Sequence, residues 1–164
     1  MPNKTLSVEQ VLAILTETPK RLAALTGEFA PAQLRLTPAP GEWSATEVLA
    51  HLRSCADVWG DCIATILAED APTIRAIHPS AWINQTDYPD LDFGPSLRAF
   101  TAQRGGLLKL LEPLQDTDWS RTATITGAGK PLVRTVLDYG RWMAGHERAH
   151  PQADTAHGQG TSED

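Results

Sequence analysis

Two histidines near the end of the chain, His146 and His150, have the residue type and spacing of a pair of metal ligands. They lie four residues apart in the stretch PLVRTVLDYGRWMAGHERAH, residues 131–150. If this stretch is helical, the two imidazoles lie one turn apart on the same side and can reach one point. Neutral imidazoles are good ligands for zinc and other divalent metals. The pair therefore predicts part of a metal site.

The same stretch predicts the helix that positions the pair. Apolar residues and the two histidines follow one another at steps of 4, 3, 4, 3 and 4: Leu132, Val136, Tyr139, Met143, His146 and His150. This period is typical of a helix that packs into a bundle, and Pro131 is suited to its first turn. Pro151 follows directly, and a residue before proline is disfavoured in the α region, so we expect the helix to end or kink at His150.

A second helix is predicted to supply the third ligand. Ser44 and Glu47 form a capping box, after which a seam follows at the same steps: Val48, Leu52, Cys55, Trp59, Cys62 and Ile66. His51 lies on the inward edge of this seam, one turn from Cys55. We predict that His51, His146 and His150 bind one metal and leave a coordination position open, as in reactive metal sites. Cys55 could supply a thiolate or line the pocket, and Trp59 could form its wall.

The same residues are also compatible with functions other than a three-histidine metal site. The letters HERAH match the HExxH pattern of zinc proteases, in which the glutamate is the general base. On a helix, however, Glu147 points about 100° away from His146, and the chain offers no suitable third ligand downstream. A single histidine such as His51 can also be an ordinary hydrogen-bonded residue.

We expect His78 and His157 to be exposed, and Cys55 and Cys62 to be reduced thiols in the core. Trp43, Trp59 and Trp142 are expected to be packing residues.

The rest of the chain predicts an all-α domain, an antiparallel four-helix bundle with a long loop between helices 2 and 3. Helix 1 begins after Ser7, and Pro19 either kinks it or divides it. Helix 3 covers about 96–111, and its Gly105-Gly106 pair could allow close approach of another helix. Residues 70–95 are read as a lid or side wall, 119–130 as a short hairpin or extended crossover, and 153–164 as a disordered tail. The bundle domain is thus predicted to cover 1–152.

Composition excludes several classes of function. The chain has 164 residues and a formal charge of −6, and no long cluster of Lys and Arg. Because affinity for nucleic acids is mainly electrostatic, we expect no nucleic-acid partner. No stretch approaches the length of a membrane span, and the first residues lack the apolar core of a signal peptide. We therefore expect a cytoplasmic protein that has no membrane partner and acts on a small molecule.

The sequence resembles the DinB-like (YfiT-like) family of metal-binding helical bundles. GEWSATEVLAHL, residues 41–52, is similar to the family's tryptophan-serine helix start and first histidine, and GAGKPLVRTVLDYGRWMAGHERAH, residues 127–150, is similar to its last helix. The order and spacing cover about residues 7–152. The resemblance implies that His51, His146 and His150 are the metal ligands and that the protein is a homodimer.

The resemblance also implies a class of chemistry. Family members with known activity are transferases and isomerases that use a low-molecular-weight thiol, such as mycothiol or bacillithiol. We therefore expect a divalent-metal-dependent enzyme, with zinc or nickel, that transfers a thiol or isomerises a substrate in detoxification. The alternative is a non-catalytic metal-binding or stress-response bundle. A bundle that binds partners without any metal is a third possibility.

Overall fold

A computed structural model of the chain describes residues 5–156, with side chains for residues 5–148. The elements in chain order are α1 (Val8–Thr26), α2 (Ala45–Ala68), β1 (Thr73–Arg75), α3 (Pro79–Trp82), α4 (Phe93–Leu111), α5 (Asp116–Trp119), β2 (Thr122–Thr126), β3 (Leu132–Thr135) and α6 (Val136–Ala156). The long helices α1, α2, α4 and α6 pack as a four-helix bundle. The predicted fold class is confirmed.

Capping boxes fix where three of the four long helices begin. Ser44 accepts a hydrogen bond from the backbone N–H of Glu47 at 3.1 Å, and Glu47 accepts one from the N–H of Ser44 at 2.8 Å. Ser7 and Gln10 form the same pair at the start of α1. A third box, which the sequence analysis did not identify, joins Thr135 to Asp138 at the start of α6. These side chains satisfy backbone N–H groups that have no partner within the helix.

The predicted start of the last helix near Pro131 is therefore wrong. Leu132–Thr135 form strand β3, and α6 begins only at Val136. Leu132, which was assigned to the helix seam, lies in the strand with a side chain that is 41% exposed. The rest of the described seam is buried as predicted as far as Met143. The residues predicted as the first turn of the helix instead form a strand that pairs with β2.

Two core clusters show how the helices run. One cluster combines the first half of α1 and of α6 with the last turns of α2 and α4. The other combines the end of α1 with the first halves of α2 and α4. Thus α1 and α6 run in one direction and α2 and α4 in the other, so α2 and α6 are antiparallel neighbours. Because α2 ends where α4 also ends, the chain must travel the length of the bundle between them, which explains the long segment 69–92.

This connecting segment contains regular structure, contrary to the expectation for 70–95. Strand β1 pairs in parallel with β2, and β2 pairs antiparallel with β3, in the order β1-β2-β3. Of the two possibilities considered for 119–130, the hairpin is confirmed. Its turn contains Gly127 and Gly129, both with φ +87°, a conformation that glycine adopts without strain. Ala123 and Ile125 of β2 pack into the core, so the sheet closes one end of the bundle.

The prolines of α1 and α6 do not interrupt these helices. Helix α1 is continuous and contains a buried Pro19, so it is not divided there, and α6 continues past Pro151. A Cβ on Gly105 or Gly106 would meet nothing within 4 Å, so close approach of another helix does not explain this pair. Of the predicted tail 153–164, residues 153–156 belong to α6, and residues 157–164, which include His157, lie outside the described residues. Within the described chain, no helix is long and apolar enough to cross a membrane.

Candidate metal centre

Helix α2 carries two potential ligands on consecutive turns. Sγ of Cys55 lies 3.6 Å from Nε2 of His51. Cys55 is only 2% exposed, whereas His51 is partly exposed. The two residues are four apart on one helix, so their side chains meet on one face because of helical geometry alone. This face is turned toward α6, the neighbour with which α2 packs most extensively.

Helix α6 brings His146 to the same place. Nδ1 of His146 lies 3.2 Å from the carbonyl oxygen of Trp142, one turn earlier. Because a carbonyl can only accept, this hydrogen bond requires the proton on Nδ1 and places the lone pair on Nε2. Metal-bound histidines are commonly oriented by such a contact of the second ring nitrogen. The tautomer favoured here is therefore one that can bind a metal.

The three side chains converge. The ligand atoms of His51, Cys55 and His146 all lie within 4.8 Å of one another. The imidazole rings of His51 and His146 have centroids 5.7 Å apart. Imidazole nitrogen and thiolate sulfur are the donors that zinc prefers, so this donor set fits a zinc-like divalent metal. The structure thus brings together two of the three predicted ligands and the predicted pocket residue Cys55.

The third predicted ligand, His150, lies on α6 one turn after His146. Its side chain lies outside the described residues. Of the two expectations for Pro151, a helix end and a kink, the end is wrong, because α6 continues beyond His150. The assignment of His51, His146 and His150 as the ligands of one metal stays a prediction.

Three tryptophans surround the two histidines. The ring of Trp59 meets that of His146 edge to face at a centroid distance of 4.9 Å, and the ring of Trp142 lies 6.0 Å from that of Trp59. Trp43 lies 5.1 Å from His51. Trp43 is 44% exposed and Trp142 36% exposed, so these two rings pack at the surface of the bundle and not in its core. The predicted position of Trp59 beside the site agrees with its contact with His146.

Glu147 is hydrogen-bonded to residues of α1 and α4 and cannot act as a general base beside the histidines. It is 1% exposed and forms a bidentate ion pair with Arg104 of α4, at 2.8 and 2.5 Å. Thr18 of α1 donates a third hydrogen bond to it at 2.8 Å. A carboxylate that accepts three hydrogen bonds in the core is fixed in place. The protease interpretation of HERAH is thereby excluded on geometry.

The role of Arg104 was not predicted from the sequence. This residue lies four after Phe100 and three before Leu107, which places a charge on the otherwise apolar seam of α4. It is 2% exposed, and its guanidinium also donates to the carbonyl of Leu15 at 2.8 Å. The available signal was a single charged residue among the apolar seam positions of α4. Such a residue predicts a buried ion pair, because a buried charge requires a partner.

The segment between α2 and α4 is anchored away from the histidines. Asp57 of α2 accepts hydrogen bonds from Trp82 at 3.0 Å, from the hydroxyl of Tyr88 at 2.5 Å and from Gln103 of α4 at 2.6 Å. Arg53 stacks over Tyr88 at 3.9 Å. On a helix, Asp57 points about 120° away from His51. These contacts make the segment a side wall of α2, and none of them places it over the histidines.

The remaining histidine and cysteine with described side chains have structural roles. His78 is exposed, as expected, and its Nδ1 accepts from the backbone of Ser80 at 3.1 Å at the start of α3. Cys62 is a buried free thiol. Burial raises the pKa of Cys62, an effect that a hydrogen bond from Tyr139 partly offsets and the charge of Asp61 increases. Cys62 is therefore held as a neutral thiol.

Comparisons with known proteins agree with this architecture. The family model of the DinB superfamily matches residues 14–152. Two curated relatives, from Geobacillus thermodenitrificans and Geobacillus kaustophilus, are 26% and 25% identical over 136 residues, which cover 79% of this chain and 73% of each relative. Both are named for an inferred metal-dependent hydrolase activity.

A solved structure shows the same fold. YfiT from Bacillus subtilis matches with a TM-score of 0.72 and 23% identity, over 95% of this chain and 90% of its own. It is described as having an unusual four-helix bundle topology and an inferred metal-dependent hydrolase activity. A bundle in which α1 and α6 run together, against α2 and α4, differs from a simple up-and-down arrangement.

Proposed function

Because the chain belongs to the DinB superfamily, we propose that it is a divalent-metal-dependent enzyme whose metal is held by His51, His146 and His150. The observation that carries the proposal is the convergence of His51, Cys55 and His146, with ligand atoms within 4.8 Å of one another, from two antiparallel helices. Zinc or nickel suits such ligands. The names of the two Geobacillus relatives support a metal-dependent reaction.

Each residue near the site has a separate task in this proposal. His51 and His146 bind the metal through imidazole nitrogen, and the carbonyl of Trp142 keeps His146 in the required tautomer. Trp59 packs against His146 and restricts its movement. When bound, the metal supplies a Lewis acid that lowers the pKa of a small nucleophile at an open coordination position. Glu147 takes no part as a base, since Arg104 and Thr18 hold it in the core.

The finer proposal concerns the nucleophile. A low-molecular-weight thiol would make the protein a thiol S-transferase or isomerase, whereas water would make it a hydrolase like its named relatives. Both histidines are partly exposed, which leaves a route from solvent for a thiol cosubstrate. We propose the thiol reaction and treat hydrolysis and non-catalytic metal storage as the results that would replace it.

Metal content tests the site. Untagged protein purified without chelators should contain about one equivalent of metal by elemental analysis, as expected for one open site. His51→Gln, His146→Gln and His150→Gln should each lose most of it. His78→Gln is the matched control, because this exposed histidine lies outside the group. Wild-type protein without metal after reconstitution, or ligand variants that keep their metal, would contradict the proposal.

Turnover separates the three functions. Metal-loaded protein is incubated with bacterial thiols and a generic electrophile, and in parallel with ester and amide substrates and no thiol. Loss of thiol above the level of the triple histidine variant supports transfer. Hydrolysis without thiol replaces the transferase with a hydrolase. Full metal occupancy without either reaction supports a binding protein.

A further inference from the structure

The buried ion pair between Arg104 and Glu147 lies directly beside a candidate metal ligand. Glu147 follows His146 in the sequence, and its carboxylate faces the bundle interior while His146 faces α2. Both oxygens of Glu147 accept from Arg104, and the same guanidinium donates to the carbonyl of Leu15. The contact therefore joins α6 to α4 and α1 at one point in the interior.

Apolar packing restrains α6 through the fit of its side chains against their neighbours, but the hydrophobic effect itself favours no particular rotation. A bidentate guanidinium–carboxylate contact is directional, since both groups are planar and two hydrogen bonds must align together. For a side-chain atom about 5–6 Å from the helix axis, a rotation of about 20° is a displacement of about 2 Å. Metal–ligand distances tolerate only about 0.2 Å, so the rotation of α6 decides whether His146 can bind.

Helix α4 is also fixed to the other helix of the site. Gln103, the neighbour of Arg104, donates to Asp57 of α2 at 2.6 Å. Arg53 of α2 donates to Ser96 of α4 at 3.0 Å. Two consecutive residues of α4 therefore contact the helix that carries His51 and the helix that carries His146.

We propose that Arg104 and Glu147 are positioning residues that fix the rotation of α6 and so hold His146 in the orientation that binds the metal. The inference rests on the proposed metal site. Glu147, the glutamate of HERAH, thereby orients a metal ligand and does not act as a base. Helix α4 contributes to the site without supplying any of the proposed ligands.

The pair can be replaced without leaving a buried charge. In R104M/E147L both charges are lost together, and apolar substitution of a buried pair is often tolerated. Once Glu147 is replaced, the single hydroxyl hydrogen of Thr18 can turn to the carbonyl of Ile14, whose oxygen lies 2.9 Å away. Arg104→Lys is the second variant, since it keeps the charge but loses the planar fork. Leu111→Ala is the control, a core truncation on the same helix that lowers stability without touching Glu147.

The measurement is zinc affinity, by competition with a chromophoric chelator, alongside thermal unfolding of the metal-free proteins. We expect the affinity of R104M/E147L to fall about 10-fold or more, in the range seen when residues that orient ligands are lost. The zinc affinity of Arg104→Lys should fall less than that of R104M/E147L. Leu111→Ala should unfold at lower temperature and keep its affinity within about twofold, since distant sites act independently.

Two outcomes overturn the inference, and they are distinguishable. If wild-type protein binds zinc and R104M/E147L binds it equally well, the ion pair only supports the fold and the proposed function stands. If R104M/E147L does not fold, the zinc affinity of Arg104→Lys is compared with that of wild type. Equal affinities again mean that the ion pair only supports the fold. If wild-type protein binds no zinc, the proposed function fails and the inference fails with it.

Discussion

Sγ of Cys55 lies 3.6 Å from Nε2 of His51, on the next turn of the same helix. The thiol therefore borders the position that a metal bound to His51 and His146 would occupy. We predict that bound zinc slows modification of Cys55 by methyl methanethiosulfonate at least about 10-fold, because reaction requires access to a sulfur beside the metal. Modification of the metal-free protein should in turn block zinc uptake. Mass spectrometry measures both effects.

The variant Cys62→Ala isolates this reaction, and Cys55→Ala serves as its control. The pKa of the Cys62 thiol is raised, mainly by burial, which lowers the fraction of reactive thiolate, and Cys62 does not belong to the group that converges with His51. The remaining thiol of Cys55→Ala should therefore react at the same rate with and without zinc. Equal rates for Cys55 with and without zinc would show that the metal is not bound beside it.

Tyr88 gives the protein a pH-dependent stability at alkaline pH. Its pKa is raised to about 12 by burial, by the hydrogen bond that it donates to Asp57 and by the charge of that carboxylate. A raised pKa means that the contribution of Tyr88 is complete below about pH 10 and is lost as pH rises from about 10 to about 12. We predict that Tyr88→Phe loses less stability than wild type across this window. Urea unfolding at a series of pH values measures the difference.

At neutral pH the same substitution should cost about 1 kcal/mol, the usual contribution of one hydrogen bond. Asp57→Asn is the control, because it removes the charge that helps to raise the pKa of Tyr88. The pH range over which Tyr88 affects stability should then be narrower. Parallel stability curves for wild type and Tyr88→Phe above pH 10 would contradict the prediction.

Two glycines in helices should respond to alanine in opposite directions. A Cβ on Gly105 of α4 would meet nothing within 4 Å, whereas one on Gly140 of α6 would lie 3.2 Å from Val11 and 3.4 Å from Trp119. We predict that Gly105→Ala stabilises the protein by up to about 1 kcal/mol through helix propensity. Gly140→Ala should destabilise it by about 1 kcal/mol, since crowding in the core outweighs the same gain.

Urea unfolding compares the two variants, and each is the control for the other. Val11 and Trp119 are both buried, so neither can move aside without disturbing its own neighbours. Stabilisation by Gly140→Ala would mean that α1 and α5 press on α6 less closely than described.

Local patterns in the sequence predicted the helices well. The capping boxes at Ser7 and Ser44 and the seam of α2 depend on residues three or four apart, and such contacts form within one helix whatever surrounds it. The start of α6 was wrong because Leu132–Thr135 pair with β2, and pairing between strands depends on distant residues. Strand β1 was missed for the same reason.

The candidate site was predicted in part. Spacing alone placed His51 beside Cys55 and put His146 on the inner seam of the last helix, and the structure brings these three side chains together. Spacing could not show that Arg104 holds Glu147, because the two residues lie on different helices. It also could not place Trp43 at the surface beside His51.

The sequence by itself determined which residues share a helix face, because the 3.6-residue period follows from backbone geometry. It therefore determined the approximate extent of the long helices, the caps of α1 and α2, and which histidines could offer nitrogen ligands from one helix face. Only the tertiary structure decided the directions of the helices, the strand pairing and the partner of Glu147. These features depend on which distant surfaces meet, and the burial of charged and apolar groups settles that choice only when all the helices pack together.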